Sequence, residues 1–436
     1  MFASLCYNVD RGEWNMKRSE RKIQSATNWQ FILGLLCVVF LVASGILLAE
    51  KINDSVKIKA KSTKTSIVQK KKTSSSPNGV QTARIMANGD LLYHDLLYMS
   101  ALQSDGTYDF TENYQYVKPW LKKADLVLGD FEGTIRPNYP LAGYPLFNAP
   151  ESVVSAIKDA GYQVVDLAHN HILDSQLEGV TTTVEAFEKQ DITPIGVYTH
   201  ENRDKSSLVI KKVNGIKIAL LAYSYGFNGL EENLSRADYN HHLSDLNEEK
   251  MKKEIERAEK EADITVVMPQ MGVEYQLEPT QEQKTLYHKM IEWGADIIFG
   301  GHPHVVEPSE VVKQNGQKKF IIYSMGNFIS NQRIETMDGV ENKKWTERGV
   351  LMDVTIEKSK KGTIIKNVQA HPSWVSRVAK GTYSPEGYPL YTYQTYILED
   401  FIEGGKYRDK LDQATKERID TAYQEMNEHV NLKWDE

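Results

Sequence analysis

The sequence predicts an α/β domain with helices packed outside its β-sheets, and three observations carry that prediction. Short apolar strands alternate with stretches of helical periodicity along most of the chain. Acids, asparagines and histidines fall just beyond the strand ends, which is where ligands gather in such folds. The composition, 41% hydrophobic and 25% charged over 436 residues, can build a sizeable core and excludes wholesale disorder.

Arg84-Ile85-Met86-Ala87 leads into Asn88-Gly89-Asp90, and Asp125-Leu126-Val127-Leu128 leads into Gly129-Asp130-Phe131-Glu132. The apolar run 163–168 leads into His169-Asn170-His171, and 216–221 into Ala222-Tyr223-Ser224. Residues 263–268 are followed by Pro269-Gln270-Met271-Gly272, 296–299 by Gly300-Gly301-His302-Pro303-His304, and 320–323 by Ser324-Met325-Gly326-Asn327. Helices are expected over 113–123, 151–160, 176–190, 247–261 and 280–294; the last places Leu286, Met290 and Trp293 on one face. Past residue 345 the pattern changes. Residues 350–356 and 364–368 flank a charged turn and read as a hairpin. The stretch 406–430 reads as a charged surface helix.

The N-terminal part reads differently. Residues 29–48 hold no charge, and a run of that length crosses a hydrocarbon core of about 30 Å. The expectation is a transmembrane anchor at 29–48 after a short cytoplasmic tail (1–28), then a Lys/Ser-rich flexible linker (49–83). A main domain (84–345) and a C-terminal extension packed on it (346–436) would follow. Basic residues on both flanks leave the orientation open by charge. A long cysteine-free domain after one N-terminal span favours an outside position, hence a single-pass cell-membrane protein with its main domain extracellular. Cys6 and Cys37 alone build no disulfide framework. Residues 1–83 carry 13 Lys/Arg against 5 Asp/Glu, and with a net charge of −7 the remainder holds −15. So acidic a body argues against nucleic acid as a partner.

His302-Pro303-His304 after two glycines is the sharpest signal, because two histidines one residue apart on a loop can aim both imidazoles at one metal ion. Asn170 is a candidate oxygen ligand, and His171 either a ligand or a general acid; Asp174 could simply cap the following helix. Asp90 and Glu132 supply carboxylates from the first two strand ends, with Asp130 nearby. Together these groups match what divalent ions such as Mn, Fe or Zn require. Asn327, Glu274 and Tyr275 are candidates for lining the same pocket. Phosphate-binding glycine loops and HExxH are absent.

Taken in order, Asn-Gly-Asp90, Gly-Asp-Phe-Glu132, Leu-Ala-His-Asn170-His171 with Asp174, Gly272-Val-Glu274-Tyr275, Gly-His302-Pro-His304 and Tyr-Ser-Met-Gly-Asn327-Phe resemble the CapA/PgsA-type poly-γ-glutamate capsule synthesis family, over about residues 84–332. The resemblance implies a calcineurin-like metallophosphoesterase sandwich, two β-sheets flanked by helices. It implies metal ligands at Asp90, Glu132, Asn170, His302 and His304, one or two ions, and a catalytic His171 with Asp174. His169, Asp130, Gln270, Glu274, Tyr275 and Asn327 would complete the pocket. Many family members read His-Trp-Gly where this chain has Gln270-Met271-Gly272, and an Asn where it has His169. Because a glutamine carbonyl is a poorer ligand than imidazole, the first departure weakens a two-metal hydrolase reading. The implied role is a membrane-anchored component of poly-γ-glutamate synthesis and export, with synthase and export subunits, the membrane and the anionic polymer as partners. Two other readings stand beside it: a metal-dependent extracellular hydrolase of a phosphodiester or amide bond, and a non-catalytic scaffold with a degenerate pocket.

Overall fold

The computed structural model of the protein describes residues 79–199 and 207–436. Among these residues the strands form two sheets. In the first, β1 (Gln81–Leu92), β2 (Leu126–Glu132), β3 (Val164–Asp166) and β4 (Thr193–Ile195) run parallel. On the other side of β1 the sheet continues antiparallel through β12 (Arg348–Ser359), β13 (Gly362–Tyr383) and β14 (Pro389–Ile397). The short β11 (Asn327–Ile329) pairs with the last residues of β1, beyond the reach of β12. The second sheet has the order β5 (Val209–Val213), β6 (Ile216–Ser224), β7 (Ile264–Gln270), β8 (Ile297–Phe299), β10 (Gln317–Met325), β9 (Val306–Gln314), with the two edge strands antiparallel.

Strand alternation builds the layers. In β6, Ile218, Leu220 and Ala222 join Ile85, Ala87, Leu126, Leu128 and Val164 of the first sheet in one core between the sheets. Its intervening residues Ala219 and Leu221 face outward, onto α6 (Glu248–Glu261) and α7 (Gln281–Trp293), through Met251, Ile255, Leu286 and Met290. On the outer face of the first sheet, Val127, Phe131 and Val165 pack against α3 (Ser152–Ala160) and α4 (Gln176–Lys189). The result is helix, sheet, sheet, helix, the expected sandwich. Four shorter or later helices complete the set among the described residues: α1 (Asp95–Ala101), α2 (Lys118–Leu121) and α5 (Arg236–His242) lie in connections, and α8 (Gln413–Val430) packs Ile419 and Ala422 on Trp374 and Tyr396.

Local signals explain the boundaries. Thr280 and Gln283 form a reciprocal capping box at the start of α7, and Asp412 accepts from the Thr415 amide at the start of α8. The helix expected over 113–123 is instead a 3₁₀ turn (Thr111–Tyr114) followed by the single turn α2. Pro119 has no amide hydrogen to bond back into a preceding turn, so it is tolerated only where a helix begins.

The expectation of a transmembrane helix is corrected. Among the described residues no helix is long and apolar enough to cross a membrane. The longest, α8, is an 18-residue helix that carries charge along its length. The run 29–48 and residues 49–78 of the expected linker lie outside the described residues, while the linker's last three positions, 81–83, already belong to β1. The single-pass, anchored topology with an extracellular domain is not carried further.

Glu307 in β9 is fully buried, accepts one bond from Gln283 Nε2 at 2.8 Å, and leaves Oε1 without a partner. Burial, partly offset by that bond, pushes its pKa up to about 8 from an ordinary 4.5. Between those values the folded state holds a proton that the unfolded state releases, so stability falls as pH rises through this window. Glu307→Gln is expected to remove that slope, gaining on the order of 2–4 kcal/mol above pH 8 relative to wild type. Urea midpoints from pH 5 to 9 measure it; parallel curves for the two proteins would contradict it.

Candidate metal centre

Asp90, Asp130 and Asp166 are direct neighbours across the parallel strands β1, β2 and β3. In-register side chains leave the same face of a sheet. That face carries Leu126 and Leu128 into the inter-sheet core, and the same alternation then delivers Asp130 and Glu132 at its upper end. The apolar layer between the sheets is therefore capped by carboxylates. From the opposite sheet, Gln270 ends β7, and residues 300–304 follow β8.

The two sheets meet closely here. A Cβ placed on Gly301 would lie 2.8 Å from Asp130 Oδ2 and 3.6 Å from Asp90 Oδ1. His302 and His304 take φ of 96° and 58°, the left-handed region that costs a non-glycine residue energy and is tolerated where surrounding structure enforces it. Gly301→Ala is expected to push Asp130 aside, weakening metal uptake by roughly tenfold while the two-sheet core persists. Calorimetric metal titration beside a thermal melt tests this; unchanged affinity would mean that Asp130 is free to move.

Asp90, Glu132 and His304 offer ligand atoms that all lie within 4.8 Å of one another, and all three are buried. His304 Nδ1 is 2.9 Å from Asp90 Oδ2, 3.3 Å from Asn327 Oδ1 and 3.7 Å from Glu132 Oε2. Burial would lower its pKa, but Glu132 and Asp90 outweigh that and hold it up at about 10. His302 moves the other way, down to about 3, through burial and the neighbouring His304 and His171. Its ring lies 4.5 Å from that of Tyr225. Asp130 is raised to about 8 by burial and by Asp90, against the hydrogen bond from Gln270 Nε2 at 3.0 Å. Glu132 is pushed well above the carboxylate range, first by burial and then by Asp90 and Asp130.

His171 approaches from β3's side. Its Nδ1 is 2.7 Å from Asp174 Oδ2, and its Nε2 is 3.9 Å from Glu132 Oε1. Asp174 also accepts from the Phe147 amide at 2.6 Å, so it ties the histidine to the loop before α3 rather than capping α4, whose N-cap is Ser175. Asn170 donates to Asn228 Oδ1 at 3.3 Å and leaves its own carbonyl oxygen buried and unpartnered.

Other expected residues occupy different places. His169 faces the Gly133 and His171 amides at 3.3 and 3.2 Å, and so braces the backbone. Asn327 donates to Gln332 Oε1 and to the Thr346 carbonyl, which fixes the oxygen that it presents to His304. Tyr275 stacks over His304 with ring centroids 6.1 Å apart. Glu274 is exposed at the rim.

Four neighbours were not singled out as site residues from sequence. Asp166 is buried, accepts from the Ala168 amide at 2.7 Å, and is driven far up in pKa by burial and then by Asp130. The signal available was positional, because it closes its strand as Asp90 and Asp130 approach the ends of theirs. Tyr225 and Asn228 sit on the loop after β6, which offered no pattern. His94, four residues after Asp90, accepts from the Asn331 amide at 3.3 Å and is lowered to about 3 by burial and then by His304.

The residues fit a divalent ion on one test of this structure. Asp90 Oδ1, Asp130 Oδ1, both oxygens of Glu132, Asn170 Oδ1, Gln270 Oε1 and His302 Nδ1 are all buried without a hydrogen-bond partner. An unmet buried acceptor costs about 1–3 kcal/mol, and a set of them converging on one place is what a cation compensates.

Residues 84–332 match the family described as bacterial capsule synthesis protein PGA_cap. The chain is 34% identical over 229 residues to the capsule biosynthesis protein CapA of Bacillus anthracis, covering 50% of this chain and 54% of that one. It is 35% identical over 223 residues to the PGA biosynthesis protein CapA of Bacillus subtilis (strain 168), covering 50% and 57%. The chain thus spans little more than half the length of the curated relatives it matches. Among solved structures, a phosphatase from Mycoplasma pneumoniae is similar at a TM-score of 0.42 and 13% identity, covering 67% of this chain and 94% of that one. A calcineurin-like phosphoesterase from Bacillus subtilis follows at 0.38 and 14%, covering 67% and 90%. Both structural likenesses are slight. The match over residues 84–332 is more than half of the chain, and the chain belongs to the CapA/PgsA-type capsule biosynthesis family, whose members take part in a capsule biosynthesis system.

Proposed function

We propose that the chain is a metal-dependent hydrolase acting on phosphodiester bonds. The observation that carries this reading is the convergence of unpartnered carboxylate, amide and imidazole atoms at the strand ends. It replaces the expected role as an anchored accessory of polymer synthesis, because the buried triad has the composition of a metal site.

Asp90, Glu132 and His304 would hold the ion, with Asn170, Asp130 and His302 placed to complete one site or a second. The mixed oxygen and nitrogen donor set suits Mn, Fe or Zn. When bound, such an ion supplies Lewis-acid chemistry to a phosphoryl oxygen and makes water nucleophilic near neutral pH. The chain's own part is orientation and proton transfer. Asp174 fixes the His171 ring by its Nδ1, which leaves Nε2 facing the carboxylates, where it can protonate a leaving group. Tyr275 and Tyr225, against the two loop histidines, limit water access from the rim. Gln270 spends its amide nitrogen on Asp130 and turns only a carbonyl oxygen to the site, which favours full occupancy of one metal position over two. Within the capsule system of its family, poly-γ-glutamate synthase and export subunits and the anionic polymer are the proposed partners.

The test is metal content by plasma mass spectrometry, paired with hydrolysis of bis(p-nitrophenyl) phosphate in the presence of Mn. One or two equivalents of metal and metal-dependent turnover are expected. A folded protein that takes up no added metal would sink the proposal. Cleavage of a γ-glutamyl anilide, but not of the diester, would move it to amide hydrolysis.

A further inference from the structure

A cavity of about 260 Å³ opens between β13, β14, the segment after β11 and the first turns of α8. Arg333, Arg377 and Arg418 line it, together with Trp374, Tyr391 and Glu335. The guanidinium groups are backed by aromatic faces: Arg377 lies 4.4 Å from the Tyr391 ring centroid, and Arg333 and Arg418 lie 5.6 and 5.4 Å from that of Trp374. Stacked, planar guanidinium forks are the arrangement that recognises carboxylates, since each can donate two parallel hydrogen bonds.

Two carboxylates answer the three arginines, and they differ in kind. Glu347 is buried and committed: it accepts from Trp374 Nε1 at 2.8 Å and from Arg418 Nε at 2.7 Å, pairs again with Arg418 through Nη2, and lies 3.5 Å from Arg333 Nη2. Glu335 has a side chain 40% exposed and reaches in from the segment after β11. It accepts from Arg333 Nε at 2.6 Å and from Arg418 Nη1 at 2.7 Å, with Arg377 Nη2 at 3.9 Å. Burial would raise its pKa, but Arg418 and Arg333 outweigh that and hold it down at about 2. Arg377 therefore has only a loose ion-pair partner, and the pocket keeps one positive charge in excess.

We infer that this pocket is a second ligand site, for a carboxylate-bearing molecule, in which the Glu335 side chain occupies the carboxylate position as a tethered, displaceable competitor. A structural network that merely docked α8 would need Arg418 and Glu347, which already neutralise each other. It would need neither an open cavity nor a third arginine beside a half-exposed acid. The site stands on its own residues, and it holds whether or not the metal centre is hydrolytic. The carboxylate can belong to a free small dicarboxylate or to an acidic chain, and the two sources are separable.

The experiment is calorimetric titration of the full chain with succinate, with an acidic pentapeptide and with inorganic phosphate. Wild type, Glu335→Gln and the double variant Glu335→Gln/Arg377→Gln are compared. Removing the tethered carboxylate is expected to tighten binding of at least one carboxylate probe by roughly tenfold, since an intramolecular competitor acts at high effective concentration. The second substitution is expected to cancel the gain. A pentapeptide preferred over succinate assigns a chain-borne carboxylate, and equal affinities assign a free dicarboxylate. No gain in Glu335→Gln, a gain that survives Arg377→Gln, or phosphate bound more tightly than both carboxylates would overturn the assignment. Should Glu335→Gln not fold, Glu335→Asp withdraws the carboxylate by one methylene and must show the same gain, lost with Arg377→Gln.

Discussion

Glu132→Gln is expected to raise the melting temperature of the metal-free protein and to abolish its response to metal. Both oxygens of Glu132 are buried without a hydrogen-bond partner, beside Asp90 and Asp130, with His304 the nearest cation at 3.7 Å. Without a bound ion the fold therefore carries a carboxylate cluster that works against it, and an amide of the same shape relieves it by about 1–3 kcal/mol. For a domain of this size that corresponds to about 2–5 °C. Wild type should gain about 2.7 kcal/mol at a hundredfold excess of metal over its Kd, and the variant should gain nothing. Melts with chelator and with Mn decide the matter. A variant that melts lower than wild type in chelator would show that Glu132 makes a structural bond, and the cluster would lose its reading as a metal site.

His171→Asn is expected to cut diester turnover by about a hundred- to ten-thousandfold, the range for loss of a positioned proton donor, with bound metal unchanged. The geometry separates the two roles: Nδ1 is taken by Asp174 at 2.7 Å, and Nε2 stands 3.9 Å from Glu132. Asn228 Nδ2, 3.4 Å from His171 Nδ1, keeps a polar neighbour for the substituted side chain. The paired measurement is kcat beside metal content. If the two fall together, His171 is a ligand and the proton comes from elsewhere.

Much of this centre could be read in the sequence because its parts sit at strand ends, where apolar runs stop abruptly at Asp90, Asp130, His169 and His302. The packing of helices outside the sheets was likewise implicit in the alternation of β and α. What the sequence could not convey is which strand ends meet. Asp166 lies inside an apolar run and looked like part of its strand, yet the register of β2 with β3 sets it opposite Asp130. His169 stood in the densest polar cluster, but its two ring nitrogens face the Gly133 and His171 backbone amides, one of which can donate to the neutral ring. Strand β14 escaped notice because Pro389–Ile397 mixes tyrosine, threonine and glutamine without strict apolar alternation, and only pairing with the 22-residue β13 fixes it as a strand. The anchor inferred from 29–48 rested on hydropathy alone and has no counterpart among the described helices.

The placement of β12 carries a further consequence, for the timetable of synthesis. β1 bears Asp90 and borders β2 on one edge, but residues 81–88 of its other edge are covered by Arg348–Ser359, from the last quarter of the chain. A nascent chain that has already made every ligand candidate, through His304 and Asn327, still presents β1 as an open edge at the ribosome. The centre is therefore expected to close only after β12 emerges. Products that stop near residue 332 would combine a bare strand edge with uncompensated carboxylates, which makes them substrates for proteolysis rather than partly active enzymes.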